Sequence, residues 1–458
     1  MERSLPVTCI CRPKFPKSET TDMKHKNTAY IFRPAFTHNY NEIQTRLREN
    51  CAIIGRDSVP RVICVVKADA YGHGINTAAG ALGEAGCDFF AVSSEEEAEE
   101  LRGIESANGR HPDILILGHI MPENVIEMIE DDITCAMISL DNAKELSEAI
   151  SDYYNSNYTR MADRKPLKIH IKLDTGMNRV GFAADPERLA ETVREIRTIS
   201  DDENLRITGI FTHFSCADDE MLDGKIVPGT DGYTRLQLER YKTAVETLQN
   251  AGIDTGLRHA ANSAAILGLP EAYFDAVRAG IIIYGLTPNG KPDDGFLPAM
   301  QFDSSVTHIH RIRTGDKVSY GAAFTAEHDM TLATVAAGYA DGFERAYTGC
   351  TVRIGSHSYR QVGRICMDQF MVDITDAPEP IRIGDAVTLF GGDDGSMVRD
   401  LAKLAGTINY EVICKVSKRV IREVLTDTPQ PSDPGNPPVP AKKPTVYRIA
   451  QKEHMKKA

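Results

Sequence analysis

The strongest constraint on the fold is a repeat of short apolar segments between residues 61 and 285, with helix-like segments between them. The apolar segments are mostly continuous rather than alternating, which is typical of strands covered on both faces. Alternation of strand and helix repeated eight times predicts an α/β fold with an N-terminal (β/α)8 TIM barrel. The eight segments are RVICVVKA, CDFFAVSS, DILILGH, ITCAMIS, LKIHIKLDTG, ITGIFTHFS, GLRHAANS and AVRAGIIIYG.

A doubly wound open sheet is the alternative for such alternation. That fold usually carries a phosphate-binding G-x-G-x-x-G motif after its first strand. Here the first apolar segment leads into KADAYGHG, which lacks the motif. The barrel is therefore the favoured architecture.

The pattern changes near residue 297, where β-like runs follow one another through Gly and Asp turns without helices between them. We predict a flexible extension over 1–28, the barrel over 29–297 and a mostly β domain over 298–425. The β domain is expected to hold one short helix near VRDLAKLAG. Residues 426–458, rich in Pro and Lys, are expected to form a disordered tail.

Charge and cysteine pattern limit the classes of partner. The formal net charge of −13 disfavours nucleic acid or an anionic membrane as the main partner. No stretch approaches the roughly 18 apolar residues of a membrane helix, and we identify no secretory signal. The ten cysteines are scattered singly, several within apolar runs, as in proteins of a reducing compartment. We expect a cytoplasmic protein.

Polar side chains follow five of the eight predicted strands, where the active sites of such barrels lie. Each has a structural alternative: a lysine can extend to solvent, a histidine can be buried and hydrogen-bonded, and Asn262 with Ser263 can cap the next helix. Their convergence on one rim is what favours a site. The set consists of Lys67 and Tyr71, then Lys172, Asp174 and Arg179, then His213, Asn262, Ser263, Arg278 and Gly280.

One ligand accounts for this set. The segments NSAA and RAGI offer a hydroxyl and backbone N–H groups to a phosphate, and Lys67 can hold an aldehyde as a Schiff base. An aldehyde with a phosphate describes pyridoxal 5′-phosphate, although phosphate loops in barrels serve many ligands. The segment HFSCADD does not have the ligand spacing of a metal site, so no metal is expected.

Eight segments resemble those of alanine racemases, in family order, from about residue 30 to 424. They are VVKADAYGHG, KLDTGMNRVGF, THFSCAD, VRAGIIIYG, VSYGAAFTA, GYADGF, GRICMDQFMVDIT and INYEV. The resemblance implies a (β/α)8 barrel followed by a β domain, bound pyridoxal phosphate, and a homodimer whose active sites are shared across the interface.

The resemblance also implies roles for individual residues. Lys67 corresponds to the Schiff-base lysine, and Tyr320 to the catalytic tyrosine contributed by the partner subunit. Arg278 corresponds to the arginine facing the pyridine nitrogen, with His213 behind it. The implied phosphate-site residues are Tyr71, Ser263 (with Asn262 beside it), Gly280, Ile281 and Tyr410; those implied for the substrate carboxylate are Arg179 and Met367, with Lys172, carbamylated in many members, orienting the arginine.

The implied function is interconversion of L- and D-alanine by two bases, Lys67 and Tyr320, supplying D-alanine for peptidoglycan. Three alternatives remain open: a racemase of another amino acid such as serine, a pyridoxal-phosphate-dependent decarboxylase of the same fold, and a non-catalytic carrier of the cofactor. A decarboxylase is expected to place an acidic residue where this chain has Arg278. A carrier resembles the barrel alone.

Overall fold

The structure, a computed structural model, describes residues 27–104, 109–219, 221–222, 225–226, 232–293, 295–392, 394–426 and 447–448. Its contacts divide the chain into two compact units. The barrel unit contains Thr37–Ile283 and Thr287–Asn289; the β unit contains the described residues before Thr37, Tyr284–Leu286 and those from Gly290 onward. Among the helices of the described chain, none has the length and apolar character needed to span a membrane.

All eight predicted barrel strands form, and they close into a ring of parallel strands. The eighth strand pairs with the first, with Arg278 opposite Ile63. Three strands of the ring, the second, the fourth and the eighth, are buried at every position, which explains their mostly apolar sequence. In chain order the strands are Arg61–Val65, Phe89–Val92, Asp113–Ile116, Thr134–Met137, Leu167–Asp174, Leu205–Phe211, Leu257–His259 and Ala276–Ala279.

Helices follow the strands, and two of them begin at a serine cap. Ser94 accepts a hydrogen bond from the Glu97 N–H, and Ser139 accepts one from the Asn142 N–H, which satisfies a first-turn donor in each case. The helices up to residue 268 are Arg33–Ile53, Lys67–Gly72, Ile75–Glu84, Glu95–Arg102, Val125–Glu130, Leu140–Ser156, Leu189–Ser200, Tyr233–Asn250 and Ser263–Gly268. Short strands also form at Phe182–Ala183, Met221–Leu222 and Lys225–Ile226.

The β unit is built on the long strand Met300–Ile312. Its first half pairs with Ala386–Phe390 and its second half with Met330–Val335, both antiparallel. The order then runs from Met330–Val335 through Phe370–Asp373, His357–Val362 and Thr351–Ile354 back to Ala386–Phe390, so this part of the sheet also closes. Lys317–Val318 pairs separately with Phe324–Thr325. The predicted helix near VRDLAKLAG is confirmed as Ser396–Ala405, and a second helix spans Asn409–Cys414.

The observed division differs from the predicted boundary at residue 29. Thr28–Phe32 is a strand of the β unit, antiparallel to Met300–Ile312 and parallel to Ile421–Leu425. The assignment of this segment to the barrel was therefore wrong: a five-residue apolar run does not indicate which sheet it joins. The strand Ile421–Leu425 also pairs, on its other side, with the strand Tyr447–Arg448. Almost all of the predicted extension 1–28 and tail 426–458 lies outside the described residues.

Candidate active site

A turn of left-handed helix follows the first barrel strand and begins at Lys67. Residues 68–71 have φ of 52–54° and ψ of 38–53°. Side chains with a Cβ disfavour this conformation by about 1–2 kcal/mol per residue, so neighbouring groups must hold the turn. Strained backbone of this kind is concentrated at functional sites. The turn carries Lys67 and Tyr71 at the carboxyl end of the strand, as predicted.

Hydrogen bonds at both ends stabilise this turn. The Ala70 N–H donates to the Val66 carbonyl at 2.8 Å, and the Gly74 N–H donates to the Asp69 carbonyl at 3.0 Å. The Asp69 carboxylate accepts from the Ile75 N–H at 2.8 Å, which satisfies a donor in the first turn of the next helix. The position of Lys67 is thus set by hydrogen-bonded backbone rather than by an open loop.

Three of the predicted phosphate-site residues meet around Gly280. The Gly280 N–H donates to Ser263 Oγ at 2.9 Å. A Cβ built on Gly280 would lie 3.0 Å from Tyr71 Oη and 3.6 Å from Ser263 Oγ. These groups come from the ends of the first, seventh and eighth strands and border a space that only glycine leaves open. Two hydroxyls and a backbone N–H suit a phosphate.

If this cradle holds the phosphate of the cofactor that the sequence predicts, replacing Gly280 with alanine is expected to weaken binding of pyridoxal phosphate about tenfold or more, because overpacking a tight site costs about 1–3 kcal/mol. Titration of the cofactor-free protein with pyridoxal phosphate, followed by absorbance, measures the dissociation constant. Gly103→Ala is the matched control, since a Cβ there meets only the Glu100 carbonyl oxygen at 3.9 Å. Equal affinity for the two variants would contradict the assignment of this cradle.

Asn262 has the structural role that the sequence left open. Its side-chain oxygen accepts from the Ala265 N–H at 3.0 Å, so it caps the helix Ser263–Gly268. By doing so it orients the residue beside it, Ser263, toward Gly280. Ile281 follows Gly280 and begins the short 3₁₀ helix Ile281–Tyr284.

Arg278 on the eighth strand is 3% exposed and donates to several acceptors. Its Nη2 donates to the carbonyls of Thr212 at 2.6 Å and Ala260 at 2.9 Å. Its Nη1 donates to the His259 carbonyl at 3.1 Å and lies 2.8 Å from His259 Nδ1. Burial lowers the pKa of Arg278 to about 10, so its guanidinium stays charged at neutral pH and its orientation is fixed on several sides.

Four predicted site residues of the barrel unit carry positive charges that act on His213. Burial lowers the pKa of His213 far below its usual value, and the positive charges of four nearby side chains lower it further. Arg278, whose charge has the largest effect of the four, has its Nη2 3.4 Å from His213 Nδ1. His213 is therefore neutral at physiological pH. The four cationic side chains, in order of effect, are Arg278, Arg179, Lys172 and Lys67.

Lys172 lies on the fifth strand, is 4% exposed, and donates from Nζ to the Leu173 carbonyl at 2.7 Å. Burial lowers its pKa to about 7, with Arg278 and Arg179 contributing, while Asp174 acts in the opposite direction. A large fraction of this amine is therefore neutral near pH 7, which is the form that reacts with carbon dioxide.

The lowered pKa of Lys172 predicts that the stability of the folded protein rises with pH. Below pH 7 the folded and unfolded states both carry a protonated Lys172; between about pH 7 and 10 the folded state binds fewer protons, so stability increases. Relative to the Lys172→Met variant, the free energy of unfolding of the wild type is expected to increase by about 2–3 kcal/mol between pH 7 and 9. Urea unfolding in carbon-dioxide-free buffer measures this gain, and parallel pH profiles would contradict it.

The other predicted site residues lie in the β unit. Tyr320 is 73% exposed and Met367 is 52% exposed. Their segments meet within this unit, because Ser319 Oγ donates to the Arg364 carbonyl at 2.9 Å. Tyr410, in the helix Asn409–Cys414, is half-buried.

Sequence reasoning missed two histidines. His259 contacts Arg278 as described, and its Nε2 lies 2.9 Å from His170 Nδ1. Both side chains are buried inside the barrel. The signal in the sequence was weak: each histidine sits within an apolar strand, where a buried structural role is the ordinary explanation.

The chain matches two family models, "Alanine racemase, N-terminal domain" over residues 32–288 and "Alanine racemase, C-terminal domain" over residues 299–424. The alanine racemase of Desulforamulus reducens is 37% identical over 404 residues, covering 87% of this chain and 99% of the relative. Alanine racemase 1 of Clostridium acetobutylicum is 41% identical over 367 residues, covering 79% and 88%. The solved alanine racemase of Clostridium difficile 630 has a TM-score of 0.75 at 34% identity, covering 89% and 97%.

Proposed function

Since this chain belongs to the alanine racemase family, a family of pyridoxal-phosphate-dependent isomerases, we propose that it interconverts L-alanine and D-alanine with that cofactor. The observation that carries the proposal is the convergence of three features at the carboxyl ends of the barrel strands: Lys67 on its left-handed turn, the cradle at Gly280, and the buried Arg278. Covering nearly the full length of its relatives, the chain includes both domains that the activity uses.

The residues of the barrel unit fit the cofactor. Lys67 would hold the aldehyde carbon, and the cradle formed by Tyr71, Ser263 and Gly280 would hold the phosphate, with the Ile281 N–H and Tyr410 as further donors. The space that a Gly280 Cβ would fill supports this fit. When bound, pyridoxal phosphate acidifies the Cα–H bond of an attached amino acid.

Two bases on opposite faces of the substrate would move the Cα proton. The Lys67 amine would exchange a proton on the face that gives the D enantiomer, and the Tyr320 phenol on the face that gives the L enantiomer. Positioned acid–base groups of this kind typically contribute about 10²–10⁴-fold each. Inversion follows because one group removes a proton while the other supplies one.

Arg278 favours racemisation over the decarboxylase alternative. A guanidinium has only donors and does not accept a proton, so Arg278 beside the pyridine nitrogen of a bound cofactor would leave that nitrogen unprotonated. The cofactor would then be a weaker electron sink than one paired with a carboxylate, which would limit side reactions. The fixed orientation of Arg278, with two carbonyls at 2.6 and 2.9 Å from Nη2, supports this role.

Arg179 and Met367 would hold the substrate carboxylate. Arg179 offers charge-assisted hydrogen bonds, and Met367 lies on an exposed segment of the β unit. Carbamylation of Lys172 would convert a buried cation into an anion able to pair with Arg179. Its pKa of about 7 supports this modification, because the neutral amine is available at physiological pH.

The active unit would be a homodimer in which Tyr320 of one subunit serves the barrel of the other. The 73% exposure of Tyr320 in the single chain supports this arrangement. We also propose a cytoplasmic location and a role in supplying D-alanine for peptidoglycan. Within the described chain eight cysteines are free thiols, as expected in a reducing compartment.

The test is incubation of the purified enzyme with L-alanine in deuterated water, followed by NMR of the Cα position and by optical rotation. Racemic alanine carrying deuterium at Cα is the expected result. Bound cofactor without exchange would instead indicate another amino acid or a carrier. Release of carbon dioxide from an amino-acid panel, without racemisation, would indicate the decarboxylase.

A further inference from the structure

A continuous chain of buried polar groups leads from the candidate site into the barrel interior. Arg278 Nη1 lies 2.8 Å from His259 Nδ1, and His259 Nε2 lies 2.9 Å from His170 Nδ1. The three residues come from the eighth, seventh and fifth strands, and each is at most 3% exposed. Water does not compete for these contacts, so a missing partner would leave a buried group unsatisfied.

Donor and acceptor chemistry fixes the direction of this chain. A guanidinium only donates, so His259 Nδ1 must accept from Arg278 and carry no proton. Burial and the adjacent Arg278 hold the pKa of His259 far below its usual value, so the ring is neutral. The single proton of His259 is then on Nε2, where it donates to His170 Nδ1. His170, whose pKa burial lowers to about 3, is also neutral and carries its proton on Nε2.

We propose that His170 is a positioning residue for the reaction. Its Nδ1 accepts a hydrogen bond from His259 Nε2–H, which holds His259 in the tautomer whose Nδ1 accepts a hydrogen bond from Arg278. In the opposite tautomer a His259 Nδ1–H would face the guanidinium, donor against donor, and Arg278 would move. The proposal rests on the proposed function only for the role of Arg278 beside the cofactor. The tautomers themselves are testable without turnover.

Packing around the two imidazole rings fixes their positions, which supports the proposal. The ring of His259 stacks on Phe211 with centroids 4.9 Å apart and planes 3° from parallel. Phe89 meets His170 edge to face at 6.2 Å. Gly209 makes room for the second imidazole, because a Cβ there would lie 2.5 Å from His170 Nε2. The absence of a side chain at Gly209 therefore leaves room for the imidazole of His170, at a position in the barrel core where apolar side chains are usual.

Neutron diffraction of the deuterated holoenzyme tests the tautomers directly. Deuterium is expected on Nε2 of both His170 and His259 and on Nδ1 of neither. Deuterium on His259 Nδ1, or a doubly protonated His259, would overturn the inference. This readout does not depend on turnover, so a failure of the proposed alanine racemase activity would leave it interpretable.

Variants test the consequence for Arg278. His170→Leu removes the acceptor, whereas His170→Asn restores an oxygen near the place of Nδ1. The leucine variant is expected to lose about 10–100-fold in kcat, with KM nearly unchanged and a shifted absorbance maximum of the bound cofactor; the asparagine variant is expected to recover most of both. Wild-type kcat and spectrum in His170→Leu, or no recovery in His170→Asn, would overturn the positioning role.

Gly209→Ala provides an independent perturbation that keeps both histidines. Its Cβ would displace the His170 ring, so the same spectral shift and a similar loss of kcat are expected. Gly103→Ala, at an exposed helix end, is the control and should match the wild type. An unshifted spectrum in folded Gly209→Ala protein would count against the proposal even if His170→Leu failed to fold.

Discussion

Replacing Lys67 with alanine is expected to abolish racemisation and the absorbance of covalently held pyridoxal phosphate. Lys67 is proposed both to hold the cofactor and to act as one of the two bases, so one substitution removes two functions. The left-handed turn that carries it is held by backbone bonds and by Asp69, so the fold should persist. The activity assay and the absorbance spectrum of dialysed protein measure the two losses.

Lys168→Ala is the matched control. Lys168 lies at the amino end of the fifth barrel strand, whereas the site lies at the carboxyl ends, and it pairs with Asp132 on the surface. It should retain wild-type activity and spectrum, since exposed ion pairs contribute at most about 1 kcal/mol. A Lys67→Ala protein that kept the covalently bound chromophore after dialysis would refute the role of Lys67 and point to another lysine.

Replacing Tyr320 with phenylalanine is expected to slow racemisation by at least about 10²–10³-fold while cofactor binding stays near normal. Only one of the two bases is lost. Exchange of the Cα proton of D-alanine with deuterated water should therefore continue through Lys67, without conversion to L-alanine. NMR of both enantiomers measures this separation. Tyr158→Phe is the control, because it removes a phenol of the barrel unit that is 93% exposed and lies outside the proposed site.

Mixing the two inactive variants tests the shared active site. A mixed dimer of Lys67→Ala and Tyr320→Phe chains would contain one site with both bases and one with neither. Random reassociation should restore about a quarter of the wild-type activity, because half of the dimers are mixed and each has one of two sites intact. Absence of recovery in a confirmed mixed dimer would indicate that Tyr320 acts on its own barrel.

Much of the fold could be predicted from the sequence because local burial is encoded locally. The eight barrel strands lie in short, mostly apolar segments, and each formed at the segment that indicated it. The helix Ser396–Ala405 was equally clear. The strand Thr28–Phe32 was assigned to the wrong unit because its partners, Met300–Ile312 and Ile421–Leu425, lie hundreds of residues away. Pairing over that distance leaves no mark in a five-residue segment.

In the candidate site, too, some features could be predicted from the sequence and others depend on the tertiary structure. The sequence by itself determined which chemical groups stand at the strand ends, among them Lys67, Ser263 and Arg278. Only the tertiary structure decided that Gly280 leaves a gap between two hydroxyls, and that His259 and His170 form a directed chain behind Arg278. The reason is geometric: closing the barrel brings together side chains from strands far apart in the chain, and the direction of their hydrogen bonds follows from distances that no local pattern records.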